Sequence, residues 1–312
     1  MAQISKLITS FLSHCRFEKN LSPHTLKAYQ LDLAHFSRFL STRAKEPTIK
    51  KIDKTVLREY LHHLQGHRKI KTIKRKIATL KALFNYLEYD DQIAINPFRK
   101  LRINIKEPLT LPRVLTLPEV KALFEAAYKK KNQVKDPTTY TDQAIIRDIV
   151  VLELLFATGI RVSELCYLKI QDVNLEQKYI QVKGKGNRER LIQLCSPDII
   201  AIMKKYIALF HSAQTDFPYF LINRLGNRLS EQSVRFMVNC YARAAGIKKT
   251  VTPHTLRHTF ATLLLEEGVD IRYIQQLLGH STITTTQIYT HVTQNKQQEI
   301  LSTHHPRVRF RL

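Results

Sequence analysis

Apolar residues recur along the first third of the chain at steps of three and four. Leu26, Tyr29, Leu33, Phe36 and Leu40 form one such series, which places a single apolar stripe along one side of a helix and turns it toward a core. Ser22-Pro23-His24-Thr25 comes just before it. A serine hydroxyl caps free backbone N–H groups and proline suits the first helical position, so the helix is predicted to open there. A second series, Ile73, Ile77, Leu80, Phe84 and Leu87, predicts a helix over about Thr72 to Glu88, with Lys71, Lys74, Arg75 and Lys81 outside it or at its edge. No segment of note in this region alternates as a strand would, so the region reads as nearly all helix.

The pattern changes between Glu107 and Pro118, where Pro108, Pro112 and Pro118 interrupt a stretch without amphipathic period. Proline disfavours helix in the residue before it, so this is a linker. Thr116-Leu117-Pro118-Glu119 then has the form of a capping box with proline at the first helical position. The expected division is a helical domain over 1–106, a linker over 107–116 and a second domain over 117–312. The second domain is mixed: a helix over Ile145 to Phe156, short strands near Tyr179 to Lys183 and Arg190 to Leu194 joined by a glycine-rich turn, then helices to the end. Residues between Tyr128 and Asp142, rich in Lys, Gln, Asp and Thr, predict a polar surface loop. The fold class is mainly α with a small antiparallel β-sheet.

Composition then narrows the function. The 312 residues hold 50 Lys and Arg against 26 Asp and Glu, a net charge of +24. Such an excess calls for a polyanion, and nucleic acid is favoured over a membrane surface. No uncharged apolar run approaches the ~20 residues that span a bilayer, and the N-terminus lacks a signal-peptide pattern, so a soluble intracellular protein is expected. The first 106 residues hold 22 of the basic and 8 of the acidic residues. Both parts therefore carry a positive excess, as two halves of a clamp on DNA would, and Lys71, Lys74, Arg75 and Lys81 are assigned to phosphate contacts. Cys15, Cys166, Cys195 and Cys240 are far apart, with no C-x-x-C spacing. They indicate neither a metal site nor a disulfide framework, and read as reduced and mostly packed.

Four segments of the second domain carry candidate chemistry: Ala157-Thr158-Gly159-Ile160-Arg161-Val162-Ser163-Glu164-Leu165, Gly184-Lys185-Gly186, His254-Thr255-Leu256-Arg257-His258, and Leu278-Gly279-His280 followed nine residues later by Tyr289. Taken singly, each has an ordinary reading. Arg161 and Glu164 can be a surface pair at helical spacing, Lys185 a hairpin tip, His280 a residue at a helix C-terminal end and Tyr289 a half-buried aromatic. Attack on a phosphodiester joins them. Negative charge develops on the nonbridging oxygens, and two arginines, Arg161 and Arg257, suit those oxygens. A leaving 5′ oxygen needs a general acid, which Lys185 on a hairpin can bring into the minor groove. His254 lies three residues before Arg257, so one helix face presents a base or donor beside a phosphate clamp. A phenol ionises near pH 10, so Tyr289 as nucleophile needs an arginine field and a histidine base.

The set resembles the tyrosine recombinases, most of all their bacterial Xer branch, in which A-T-G-x-R-x-S-E-L, G-K-G, H-x-L-R-H-T-F-A-T, L-G-H and a later Tyr follow in this order. Gly184 to Arg190, His304-His305-Pro306-Arg307, Leu21 to Thr25 with Tyr29, and Asn96-Pro97-Phe98 extend the resemblance over nearly the whole chain. It implies a two-domain, C-shaped clamp on duplex DNA, with an N-terminal core-binding, SAM-like domain. It implies Tyr289 as nucleophile, Arg161 and Arg257 on the scissile phosphate, Lys185 as general acid, and His254 and His280 in proton transfer and phosphate binding. Glu164 supports the site by hydrogen bonding, His258 is structural, and Arg188 joins the DNA-binding residues.

The implied reaction passes through a 3′-phosphotyrosyl link and a Holliday junction without cofactor, metal or ATP. The implied partners are a DNA core site with inverted repeats and further copies of the chain, four on two sites, with the C-terminal segment from His291 onward docking on a neighbour; within it Gln294 to Leu301 offers Ile300 and Leu301 as apolar anchors, and packing on its own domain is the alternative. Some family members also use a second recombinase or a DNA translocase. Chromosome dimer resolution and mobile-element integration both remain open, since the loop over 128–142 and the tail Val308 to Leu312 exceed the usual chromosomal pattern. The location implied is the cytoplasm, with the nucleoid. Two other readings compete: relaxation of supercoils in the manner of a type IB topoisomerase, and a non-cleaving DNA-binding regulator.

Overall fold

The computed structural model describes residues 2–43, 48–106, 114–133, 139–184, 189–194, 196–211 and 217–279. The chain forms two compact units, Met1–Thr110 and Leu111–Leu312.

In the first unit, helices α1 (Ala2–Phe17), α2 (Pro23–Arg43), α3 (Lys54–Gln65) and α4 (Ile70–Tyr89) surround one core. Helix α2 begins at Pro23, and the Ser22 hydroxyl accepts the Thr25 N–H at 3.3 Å. Asp53 caps α3 by accepting from Thr55 and Val56 at 2.9 and 3.0 Å. The inward series of α4 is buried as its period predicts: Ile73, Ile77, Leu80, Phe84 and Leu87. Tyr60 of α3 meets Phe36 of α2 edge-on, ring centroids 4.8 Å apart. Each such large side chain, fully buried, contributes about 1.5–3 kcal/mol. One carboxylate also enters this core. Asp32, 2 % exposed, accepts from Arg75 at 2.5 Å, Lys76 at 3.1 Å and Thr79 at 3.2 Å, all on α4.

The second unit is built around α6 (Tyr140–Thr158), whose residues from Ile149 to Thr158 are all buried. A helix apolar on every side belongs in the middle of a domain. Helices α5 (Leu117–Asn132), α8 (Pro197–Phe210) and α10 (Pro253–Glu266) pack on it, and α9 (Glu231–Ala244) joins α5 and α10. A short helix α7 (Val162–Tyr167) follows α6 directly. A three-stranded antiparallel sheet runs in the order β1 (Val173–Asn174), β2 (Tyr179–Lys183), β3 (Glu189–Gln193), with Ile180 opposite Ile192 and Val182 opposite Arg190. Helix α11 (Ile271–Leu278) packs on α10 through Phe260, Leu264, Ile274 and Leu278.

Several boundaries differ from expectation. Of the expected linker, only residues 114–116 are described, without helix or strand. The capping box of α5 is present, Thr116 accepting from Glu119 N–H at 3.4 Å and Glu119 from Thr116 N–H at 2.8 Å, but Pro118 is the second helical residue. The loop expected between Tyr128 and Asp142 is helical at both ends among the described residues, since α5 runs through Asn132 and α6 begins at Tyr140; residues 134–138 lie outside the described residues. Two forces extend α5: the Tyr128 hydroxyl reaches inward to the buried Glu153 at 2.9 Å, and Lys129, Lys130 and Lys131 suit the negative end of the helix dipole. Strand β1 went unforeseen because two residues carry no period.

Candidate active site

Thr158 and Gly159 close α6. Gly159 adopts φ +58, a left-handed cap that glycine takes without strain, and the chain reverses so that Arg161 becomes the N-cap of α7. No side chain fits at Gly159, because a Cβ would lie 2.6 Å from Phe260 and 2.7 Å from Leu278. Helix α10 is capped by the Thr252 hydroxyl, which accepts the Thr255 N–H at 3.2 Å and so fixes His254 and Arg257 in its first turns.

These turns converge on the C-terminal end of α11. Its last two carbonyls and that of its cap, Gly279, each accept from a different arginine: Leu277 from Arg190 Nε at 3.1 Å, Leu278 from Arg257 Nη2 at 2.7 Å and Gly279 from Arg161 Nη2 at 3.2 Å. Unpaired carbonyls at a helix end carry partial negative charge, and guanidinium groups satisfy both the hydrogen bonds and the dipole. Arg257 also donates to Gly159 O at 2.6 Å and is 6 % exposed. Burial, then the nearby charge of Arg161, with a further push from Arg190 and opposed by Glu164, pulls its pKa down to about 10. It remains a cation at neutral pH.

Glu164 sits beneath the cluster. Its Oε1 accepts from Arg161 Nη1 at 2.8 Å and Arg190 Nη1 at 3.1 Å, and its Oε2 from Arg161 N at 2.9 Å and Arg190 Nη2 at 2.8 Å. Burial alone would raise its pKa, but hydrogen bonds and charge from Arg190, joined by Arg161, hold it below the usual carboxylate range. Arg161 keeps 34 % of its side chain exposed, against 15 % for Arg190. The cluster therefore presents Arg161 outward over a buried, doubly paired carboxylate.

His254 is exposed at the start of α10. Its pKa lies below the ordinary imidazole value, first through partial desolvation and then through the charges of His258, Arg257, Arg235 and Arg161. The ring is thus neutral at physiological pH, the form that accepts a proton. His258, expected to be structural, lies near His254. It is exposed, one turn after His254, and i,i+4 residues share a helix face.

In the first unit, Lys71, Lys74, Arg75 and Lys81 are exposed along one side of α4. The Arg75 guanidinium is bound to Asp32. Lys185, Arg188, His280, Tyr289 and the segment Gln294 to Leu301 lie outside the described residues, as does Cys195. Cys15 and Cys166 are buried thiols and Cys240 is half-buried; burial pushes Cys166 up to about 12, where a thiol is inert. No helix among the described residues is long and apolar enough to cross a membrane.

Sequence reasoning passed over Arg190. The signal was available: on β3 it lies on the same face as the buried Ile192, opposite the buried Val182, where the period of a strand calls for an apolar residue. A cation in that register needs a buried anion, and Glu164 is that anion.

Comparison with known proteins gives the family. The profile of the Phage integrase family matches residues 113–296, and that of the phage integrase N-terminal SAM-like domain matches residues 8–90. A tyrosine recombinase of Agathobacter rectalis is 43% identical over 310 residues, covering 99% of each chain. Tyrosine recombinase XerC of Thermodesulfovibrio yellowstonii is 39% identical, covering 96% of each. Among solved structures, XerH site-specific recombinase bound to palindromic difH substrate in a post-cleavage complex superposes with a TM-score of 0.72 at 25% identity, over 95% of this chain and 84% of that one. The chain belongs to the phage integrase family. Within it the chain stands in the Xer-like branch of the tyrosine recombinases, and it is a site-specific DNA recombinase.

Proposed function

We propose that this recombinase cleaves one strand at a duplex core site by attack of the Tyr289 hydroxyl on the scissile phosphorus. A 3′-phosphotyrosyl link forms and the bond to the 5′ oxygen breaks. The phenolic proton passes to neutral His254, and the leaving oxygen takes a proton from Lys185. Arg161 and Arg257 hold the nonbridging oxygens, with His280 as a further donor. Rejoining reverses these steps with the 5′ hydroxyl of a partner strand, so the phosphotyrosine conserves the bond energy and no nucleotide is consumed.

The observation that carries this reading is the convergence of Arg161 and Arg257 on the end of α11, with His254 one turn before Arg257 on α10. Exchange of two duplexes requires four such sites, which we assign to four copies of the chain on two sites with inverted repeats. Docking of the segment after Tyr289 on a neighbour would link them. The basic side of α4 is assigned to DNA phosphates, and the enzyme to the cytoplasm with the nucleoid.

The test is covalent trapping. The protein is incubated with suicide substrates nicked beside candidate sites in the DNA flanking its gene, and a denaturant-resistant protein–DNA band is sought. The expected band maps to one short inverted repeat and disappears in Tyr289→Phe, which still binds DNA. Bands at many unrelated positions would instead indicate relaxation chemistry, and cleavage by Tyr289→Phe would remove that residue as nucleophile.

A further inference from the structure

Arg190 has no part in the reaction described above, yet it belongs to the same cluster. It pairs with both oxygens of Glu164 and with the Leu277 carbonyl. It also lies over Gly279, where a Cβ would come within 2.9 Å of Nη1. Gly279 has φ +66, so both its backbone and its lack of a side chain suit this cover.

The charges explain what the third arginine adds. If Glu164 faced Arg161 alone, the two would form a neutral pair, and the guanidinium nearest solvent would be held by its own carboxylate. With Arg190 sharing that carboxylate, three guanidiniums stand against one carboxylate, and the cluster keeps two positive charges in excess. A resting phosphodiester carries one negative charge, and more gathers on its nonbridging oxygens as a nucleophile adds. The excess thus matches the transition state better than the ground state.

We propose that Arg190 is a positioning residue for strand cleavage. It neutralises Glu164, so that Arg161 keeps its charge for the scissile phosphate, and it anchors the end of α11. This rests on the assignment of the arginine cluster as the scissile-phosphate site. Each oxygen of Glu164 is shared between the two arginines, Oε1 between their Nη1 atoms and Oε2 between the Arg161 N–H and Arg190 Nη2.

Single-turnover cleavage of suicide substrates tests it, using a phosphodiester and an uncharged methylphosphonate at the scissile position. Arg190→Gln is expected to slow phosphodiester cleavage roughly 10- to 100-fold, less than the about 10²–10³-fold lost with a donor that itself touches the developing charge, with DNA affinity little changed. The loss should be smaller on the methylphosphonate, which develops less charge. Adding Glu164→Gln to Arg190→Gln should restore part of the rate, because an uncharged residue 164 no longer competes for Arg161. Arg190→Lys, which keeps the charge, should fall less than Arg190→Gln and guards against misfolding of the latter.

Equal losses on both substrates, or a double variant slower than either single one, would overturn the proposal and leave Arg190 as a packing anchor. Wild-type rates in Arg190→Gln would overturn it too. Failure of the wild-type protein to form any covalent complex is a different result, which removes the underlying assignment.

Discussion

The Asp32 carboxylate of α2 and the Lys76 ammonium of α4 meet at 3.1 Å with side chains 1% and 7% exposed. Removing the anion strands a buried cation, whereas removing Lys76 leaves Asp32 its bonds to Arg75 and Thr79. Asp32→Ala is therefore expected to cost about 3–5 kcal/mol of stability, the scale for breaking a buried pair. Lys76→Met should cost much less. Urea denaturation of both variants checks this, and equal losses would contradict it.

The same carboxylate sets Arg75 apart on the basic side of α4 by holding its guanidinium. Lys71, Lys74 and Lys81 are exposed, and each phosphate they neutralise adds about 0.9 to the slope of log K against log salt. Replacing all three with Gln should flatten that slope by roughly 2–3 units if each meets one phosphate. Arg75→Gln should change the slope less than Lys81→Gln and lower stability more, because its guanidinium serves Asp32. Fluorescence anisotropy over a salt series separates these outcomes, and identical slopes for the two single variants would refute that distinction.

Gly159 tests how tightly the cluster is built. Gly159→Ala forces an L residue to φ +58 and drives a methyl group against Phe260 and Leu278, while Gly159 O must still accept from Arg257. Strain and overpacking together should cost roughly 2–4 kcal/mol, with cleavage falling further than DNA binding. Gly226→Ala is the control. Its φ of +72 is equally strained, but nothing lies within 4 Å. A loss there of about 1–2 kcal/mol, without a cleavage defect, is expected. Equal effects at the two positions would mean that contact with Phe260 is unimportant.

The acid side of the cleavage profile reports on His254. Its pKa is depressed, so the neutral base persists as pH falls through the ordinary imidazole value of 6.5. The rate should therefore be lost only below that value, at the pH where His254 becomes protonated. His258→Ala removes a neighbouring charge that contributes to the depression and should move the loss upward. An acid limb at or above 6.5 that ignores His258→Ala would exclude His254 as the base.

Helix periods and capping signals made α2, α4, α5 and α10 readable in the chain because each depends on residues within about two turns of one another. The candidate site was readable for a different reason: its motifs combine residue types that phosphoryl transfer needs. Arg190 was not, because its partners Glu164 and Leu277 are 26 and 87 residues away. Asp32 and Lys76 were hidden likewise, 44 residues apart, each with the surface appearance that charged residues usually have. Tyr128 to Asn132 misled by composition: three successive lysines suggest a loop, yet at a helix C-terminus they are favourable.

Lys185 between two glycines is the assigned general acid, and its test can be made independent of folding and binding. Lys185→Ala should slow cleavage of an ordinary phosphodiester by about 10²–10⁴-fold, the usual contribution of a positioned acid. A substrate with sulfur in place of the 5′ bridging oxygen releases a thiolate, which is stable without a proton. On that substrate Lys185→Ala should regain most of the wild-type rate, whereas Arg161→Ala should not, since the charge on the nonbridging oxygens still needs its partner. Rescue of Lys185→Ala alone fixes the lysine as proton donor to the leaving group. Rescue of neither variant would place Lys185 in phosphate binding instead, and the leaving oxygen would need another acid.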